Sequence, residues 1–486
     1  MEKSKSNYDS TSPESIYDYA KSLKGKKFTD VIQENTDDVA YALNRMEYFN
    51  NVRAKGGLGN LIEEFYFGIE PNSSPLPDFQ DAGVELKVTP YKRNKNGSYS
   101  AKERLVIGMI PYNKPVPLNF EASHVAEKLA LVLFIFYEYQ SNQQRVDYKI
   151  NYIYLFSLFS EAFSKDLEII KDDYEIIINK IKQGKAHELS EGDTMYLGAC
   201  TKGMTAEKSL QPQYYNPSVE AKRRAFSLKQ GYMTLFLNKY VIGDIETYQA
   251  IVENVQSQQE FENIVLGRIQ KYKGFTEQEL INEFNISNSK AKNNFSIIAM
   301  RMLGITSSQA EEFVKSNTVV KTIRVEANNK IKESMSFFNI EFKKFAAVDW
   351  EDSKTYEYFS SHKFLFIIFK KNQDEYVLER AMFWHMPVSD LEGDLKKEWL
   401  ANQKEVIEGV KFKISGNTIR NSLPKAKDTR IFHLRPRAAK SAYLIRNLSF
   451  AKGNIEKDGD ELPNGDYMTR QTSWLNKGYI EKIINV

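Results

Sequence analysis

The sequence predicts a duplicated mixed α/β (α+β) protein: two related copies, each a mixed central sheet flanked by helices, joined by a helical linker. Three observations predict it. The chain has 486 residues, about twice the usual upper end of one domain, so more than one hydrophobic core is required. Runs of strand character, alternating or continuously apolar, interleave with helical periodicity. Three segments also recur in the same order. VELKVTPYKRNKNGSYSAKERLVIGMI at 84–110 parallels TVVKTIRVEANNKIKESMSFFNI at 318–340, which is four residues shorter, a deletion expected in its hairpin. ALVLFIFYE at 130–138 parallels KFLFIIFK at 363–370. Arg223, Leu228, Gly231 and Tyr232 correspond, at a constant offset of 247, to Arg470, Leu475, Gly478 and Tyr479. Composition alone explains a likeness between two apolar strands, but three matches in one order argue for a repeat. The expected domains are 1–241, a helical linker at 242–305, and 306–486.

Composition excludes several classes. Apolar residues at 42%, charged residues at 27%, and only 24 Gly with 14 Pro fit neither disorder nor a fibrous repeat. The single cysteine, Cys200, excludes an intramolecular disulfide, and with five scattered histidines it excludes a Cys/His zinc cage. The chemistry must use oxygen and nitrogen ligands. A balance of 67 Lys plus Arg against 64 Asp plus Glu, net +3, leaves the choice of partner to local clusters. The longest apolar run, Leu129 to Tyr137, is half of a membrane span, and no apolar run follows a basic start. A cytoplasmic protein that engages no membrane is the expectation.

The elements follow in order. Thr11 and Glu14 have capping-box spacing, with Pro13 in the first turn of a helix. In KGGLGNLIEEFYFG at 55–68, Leu58, Leu61, Ile62 and Phe65 fall at helical spacing, with Glu63 and Glu64 off that stripe. After the turn-rich PNSSPLPDFQDAG, VELKV alternates, with Val84, Leu86 and Val88 on one face and Glu85 and Lys87 on the other. Asn96-Gly97 is the favoured two-residue hairpin turn, returning a second strand beside the first. Residues 119–138 read as a helical turn leading into a buried strand, 155–184 as mainly helical, and 200–222 as loop. FSLKQGYMTLFLNKYV closes the first copy near 241. In the linker, Thr276 and Glu279 form a capping box ahead of Leu280 and Phe284. A turn at 285–287 before a helix with Lys290, Lys292 and Arg301 has the form of a helix-turn-helix, shared with many helical linkers.

Chemistry concentrates in the first copy. Pro77-Asp78, six intervening residues and Glu85-Leu86-Lys87 bring two carboxylates and one amine toward a sheet edge. Two carboxylates are the hard oxygen donors that Mg²⁺ prefers, with Mn²⁺ an acceptable substitute, and Glu63 on the preceding helix offers a third. Lys87 is suited to orient an attacking water or hold a phosphate, and unlike arginine it can lose its proton. Lys128, just ahead of the buried strand, can join from a neighbouring position. Lys92, Arg93, Lys95, Lys102 and Arg104 crowd the hairpin and offer a surface for phosphates. Alone, such an acid-acid-lysine string also fits solvated side chains on an exposed strand. His187 and Cys200 are explained equally well by burial or a backbone hydrogen bond.

KGGLGNLIEEFYFG, PDFQDAGVELKVTP and EASHVAEKLALVLFI together resemble the catalytic region of the MutH mismatch-repair nickase and the related type II restriction endonucleases that cut at GATC. The resemblance implies the PD-(D/E)xK nuclease fold. It implies a catalytic trio of Asp78, Glu85 and Lys87, a helical glutamate at Glu63 with Glu64 leaving a one-residue slip open, and a further lysine at Lys128. GKAHELSEGDTMYLGACTKG and AKRRAFSLKQGYMT, which contain Lys202 and Arg223, are similar to the downstream DNA-binding and closing parts. The likeness runs nearly the full length, which favours a restriction enzyme over the shorter nickase.

The second copy departs from that pattern. Lys321 corresponds to Lys87, but Val319 replaces Glu85, and Glu312 is expected where Asp78 would fall. IFHLRPRAAKS at 431–441 resembles a MutH segment that meets the DNA backbone, making Arg435, Arg437 and Lys440 contact candidates. The resemblance thus implies Mg²⁺-dependent double-strand cleavage of DNA at GATC with 5′-phosphate ends. A monomer in solution pairs transiently on DNA, and a second DNA site in the C-terminal domain acts as an effector. A strand-specific nickase and a non-catalytic DNA-binding protein are the alternatives.

Overall fold

In the computed structural model the described residues are 8–51, 57–71, 76–117, 119–202, 209–286, 294–307, 309–416 and 418–484. Contacts divide the chain into two units, Met1–Val265 with Leu303–Val319, and Leu266–Met302 with Val320–Val486. The stretch expected as a linker is therefore shared between both units.

The first unit begins with α1 (Pro13–Ala20), α2 (Phe28–Glu34), α3 (Val39–Asn50) and α4 (Gly57–Leu61), the last continuing as a π-helical turn, Ile62–Phe67. Ser12, not Thr11, caps α1. Its hydroxyl accepts the Ser15 N–H, whereas the Thr11 hydroxyl is turned back to donate to Asp9.

The sheet that follows has β1 (Glu85–Arg93) and β4 (Val132–Glu138) at its centre, with β2 (Tyr99–Ala101) and β5 (Ile150–Phe156) outside. β1 and β4 run parallel, Glu85 opposite Val132 and Lys87 opposite Phe134. β4 is buried at every position except Glu138 because both of its faces are covered, which is why its sequence is continuously apolar rather than alternating. On one face Ile16, Phe28, Phe49 and Leu61 join Leu133 and Ile135 in one core. On the other, Phe134, Phe136 and Phe156 meet Phe236.

The β1–β2 hairpin is present, with a different turn from the expected one. Gly97 alone is left-handed (φ +87°), its N–H bonds to the Asn94 carbonyl, and the Asn94 N–H bonds to the Ser98 carbonyl. Lys95, Asn96 and Gly97 make a three-residue loop, because Asn96 stays right-handed with its side-chain oxygen accepting the Ser98 N–H.

A second, three-stranded sheet contains β3 (Leu105–Met109), β6 (Leu197–Thr201) and, between them, β7 (Arg224–Leu228). α5 (His124–Ala130) leads into β4, α6 (Ser164–Lys182) precedes β6, and α7 (Gln230–Phe236) follows β7. α8 (Glu311–Lys315) returns to this unit. Glu312, expected at the place of Asp78 in the second copy, lies on α8. It is buried there as an acceptor for the Ile251 and Val252 N–H groups, so it caps a turn of the first unit.

The second unit repeats both sheets. β8 (Thr318–Val325), β10 (Lys363–Asn372) and β11 (Glu375–His385) form one. β9 (Met335–Asn339), β14 (Phe432–Pro436) and, between them, β15 (Gln471–Leu475) form the other. α9 (Lys354–Ser361) leads into β10, α10 (Lys396–Glu408) precedes β14, and α11 (Lys477–Ile484) follows β15. The hairpin of β12 (Phe412–Ser415) and β13 (Thr418–Asn421) lies between α10 and β14. Leu228 is paired with Leu105 and Leu197, and Leu475 with Met335 and Phe432, so the offset of 247 seen in sequence is also the register of the central strand.

The helices Glu277–Glu283 and Asn294–Met302 flank the expected helix-turn-helix turn, and the Thr276–Glu279 capping box is made in both directions. Lys290 and Lys292 lie outside the described residues. Among the described residues no helix is long and apolar enough to cross a membrane.

Candidate active site

The site grows from one end of β1. Phe79 and Val84 exchange backbone hydrogen bonds across a tight turn in which Gly83 adopts φ +65°, a conformation that glycine takes without strain. This turn delivers Asp78 beside the strand, where its Oδ2 accepts the Leu86 N–H at 2.8 Å. Burial, then the neighbouring Glu85 charge, pushes the Asp78 carboxyl above its ordinary value.

Glu85 is 1% exposed. Its Oε1 accepts from Lys87 Nζ at 2.5 Å and from Lys128 Nζ at 2.9 Å, while Oε2 is buried without a hydrogen-bond partner. Lys128 reaches it because the end of α5 is tied to β1, Glu85 N–H donating to the Leu131 carbonyl at 2.9 Å. Glu63 faces the same charges from the π-helical turn. Burial first, then Asp78, pushes its carboxyl up to about 7, with Glu85 adding to the rise and Lys87 opposing it. Glu64 points elsewhere, accepting from Tyr41 and Arg45 of α3, so the adjacent glutamates have different surroundings.

The five residues expected at the centre therefore converge. Among the described residues, however, no three Asp, Glu, His or Cys side chains are already gathered as a metal-holding group. The two lysine ammonium groups neutralise Glu85 in the position where a cation would compete. The donor set suits a hard divalent ion: Asp78 and Glu85 offer carboxylate oxygens, the buried Glu85 Oε2 is unsatisfied, and Glu63 is held close enough to feel both charges. Sequence reading missed the Leu86 N–H, which orients Asp78. It leaves no signal in residue type, since it is a main-chain group.

The expected DNA contacts divide. Lys92 and Arg93 are exposed at the end of β1, and Lys95 is exposed in the turn. Lys102 pairs with Glu103 and lies over the Tyr139 ring. Arg104 is committed to the buried carboxylate of Glu191, which removes it from the open cationic surface expected of it. Lys202 and Arg223 are exposed neighbours, joined by the Lys202 N–H and the Arg223 carbonyl at 2.8 Å, whereas residues 203–208 of the expected 200–222 loop lie outside the described residues. His187 contacts Gln213, and Cys200 is buried in β6.

In the second unit Lys321 and Arg437 meet at Ser336. Lys321 Nζ is 3.4 Å from the Ser336 carbonyl, and the Arg437 guanidinium is 2.9 Å from its hydroxyl. Burial and Arg437 push the Lys321 amine below its ordinary value. Arg435 lies over Trp474, and Lys440 is exposed.

A family model described as DNA mismatch repair enzyme MutH matches residues 67–173, the span that holds Asp78, Glu85, Lys87 and Lys128. The type II restriction enzyme Sau3AI of Staphylococcus aureus is 36% identical over 88% of this chain and 92% of its own length. The chain belongs to the MutH-related type II restriction endonucleases. The DNA mismatch repair protein MutH of Yersinia pestis (strain Pestoides F) is 29% identical over 28% of this chain and 57% of its own length. That of Vibrio campbellii (strain ATCC BAA-1116) is 29% identical over 30% and 62%. A restriction endonuclease of this family is a site-specific deoxyribonuclease acting on double-stranded DNA with a divalent metal. Of the converging groups, Asp78, Glu85, Lys87 and Lys128 lie within the matched span, and Glu63 lies just ahead of it.

Proposed function

We infer that this restriction endonuclease makes Mg²⁺-dependent double-strand cuts at 5′-GATC-3′, leaving 5′-phosphates, with its one catalytic centre in the first unit. The observation that carries this reading is Glu85, which is buried on β1 with Oε1 shared by two lysines and Oε2 without a partner. Asp78, Glu85 and Glu63 would hold the cation, which would supply Lewis acidity and neutralise charge on the departing oxygen. The chain's own groups do the remainder. Lys87 holds the scissile phosphate and orients the attacking water, Lys128 balances the charge of Glu85, and the Leu86 N–H fixes Asp78. The GATC target rests on the likeness of the 184–203 and 221–234 segments to GATC-cutting enzymes.

The second copy of the repeat has Val319 and Lys321 where the first has Glu85 and Lys87, with Glu312 drawn into the first unit. It therefore lacks the acid pair, and we assign it DNA binding without cleavage, as a regulatory site. One centre per chain implies two chains meeting transiently on a palindrome.

The test is a plasmid assay with and without Mg²⁺, comparing the parent with Glu85→Ala. Linear product from the parent and none from the variant is expected. Nicked circles alone would point to a strand-specific nickase, and equal activity of the variant would remove Glu85 from the mechanism. The regulatory role predicts faster cleavage of a one-site duplex when a second GATC duplex is added in trans. A rate indifferent to that duplex across enzyme concentrations ends that role.

A further inference from the structure

The two units differ most usefully between the helix and the strand that follows it. In the first, α6 ends at Lys182 and β6 begins at Leu197. The intervening QGKAHELSEGDTMY contains one lysine and three acids. In the second, α10 ends at Glu408 and β14 begins at Phe432, and the connection is nine residues longer. The extra length forms the β12–β13 hairpin. Its segment 409–427, GVKFKISGNTIRNSLPKAK, has five lysines and arginines and no acid, in a chain whose net charge is only +3.

The register sharpens this excess. Lys413 stands directly opposite Arg420, and Ser415 opposite Thr418, all four on the exposed face. Phe412, Ile414 and Ile419 are half-buried on the other face, with the Phe412 ring 6.0 Å from that of Tyr443. Like charges placed directly across an antiparallel pair repel. Among the described residues no acid pairs with Lys413 or Arg420, so none of them relieves this repulsion. The base of the hairpin adjoins the other basic segment. Lys425 donates to Asn421 of β13, and both Lys425 and Arg435 act electrostatically on the buried His433. A two-stranded ribbon fits a DNA groove, and its paired cations match the phosphate rows along it.

We propose that the β12–β13 hairpin is a DNA-binding arm of the second unit, with Lys413 and Arg420 contacting the phosphates of the duplex bound there. The proposal rests on the reading of that unit as a DNA site and names the surface it uses. The fold of the first unit has no such arm between α6 and β6, so the arm separates the binding copy from the cutting copy.

The experiment uses the full chain with Glu85→Ala to prevent cleavage, titrated with a fluorescent GATC duplex at several salt concentrations, reading stoichiometry and affinity. Adding Lys413→Ala and Arg420→Ala should weaken the second duplex-binding event roughly tenfold and make its logarithmic salt dependence shallower by about two. The melting temperature should hold or rise, since both residues are exposed and mutually repulsive. Unchanged affinity and salt slope overturn the proposal. A parallel Arg435→Ala, Arg437→Ala variant separates the two layers. If it alone weakens the second event, DNA binds elsewhere on the unit and only the arm is wrong. If the parent chain binds a single duplex and neither variant changes it, the second DNA site itself is wrong.

Discussion

The amine of Lys128 stands 2.9 Å from Oε1 of Glu85, a residue 43 positions away. Lys87, two positions from Glu85, holds the same oxygen at 2.5 Å. Both amines donate to one buried oxygen, while the second oxygen has no hydrogen-bond partner.

Lys128→Met removes one of those cations while retaining the length of the side chain. Metal-free stability should fall by about 1–3 kcal/mol, the usual cost of depriving a buried charged group of a hydrogen bond. Cleavage should fall roughly 10–100-fold, in line with loss of a group that orients a metal ligand. Thermal denaturation and single-turnover cleavage measure the two effects. An unchanged melting temperature would show that Lys87 alone satisfies Glu85.

Glu63 sets a pH dependence. Its carboxyl is raised from 4.5 to about 7 in the folded chain, so between those values the folded state binds more protons than the unfolded state. Its stabilising contribution is complete below about 4.5 and disappears as pH rises through 7. Metal-free melting temperature should therefore fall across that window, and Glu63→Gln should flatten the slope. Because Mg²⁺ needs the ionised carboxylate, its stabilisation of the parent should grow from pH 6 to 8. A stabilisation by Mg²⁺ that stays constant over that range excludes Glu63 as a ligand.

The neighbouring glutamates should separate cleanly. Glu64→Gln weakens the contacts to Arg45 and Tyr41, and should cost about 1 kcal/mol of stability while leaving Mg²⁺ affinity intact. Glu63→Gln should reduce Mg²⁺ affinity. Isothermal titration with Mg²⁺ on both variants decides, and equal losses would mean that the helix presents both acids to the metal.

Gly231 closes the first unit. A Cβ there would lie 1.9 Å from the Val314 carbonyl, and its N–H donates to Asn317 Oδ1 at 2.9 Å. Gly231→Ala should destabilise by about 3 kcal/mol, the upper part of the range for overpacking. Gly478, its counterpart in the repeat, has nothing within 4 Å of an added Cβ, so Gly478→Ala should be tolerated. Denaturant unfolding of the two variants tests the contrast.

The residues of the site were legible because each leaves a local mark. Asp78 follows a proline in a turn, and Glu85 and Lys87 share a strand face. The buried β4 announces itself by an unbroken apolar run. The duplication was legible because the offset between matched residues became a strand register. Other features had no local mark. The Arg104–Glu191 pair spans 87 positions, and Arg104 reads in sequence like any other hairpin cation. Glu312 fell at the expected spacing but was captured by backbone N–H groups 60 and 61 residues away. The acid-free run at 409–427 was visible, but only strand pairing set Lys413 opposite Arg420.

Sequence by itself determined the chemistry available: which carboxylates and lysines exist, their spacing along one strand, and their loss from the second copy. Tertiary structure decided which charges meet. It turned Glu63 toward Asp78 and Glu85 and Glu64 toward Tyr41 and Arg45, brought Lys128 onto Glu85, and left Glu85 Oε2 unsatisfied. The physical reason is range. Periodicity and turn chemistry act over a few residues, whereas electrostatic partnership depends on distance in space and on exclusion of water, which the completed core imposes.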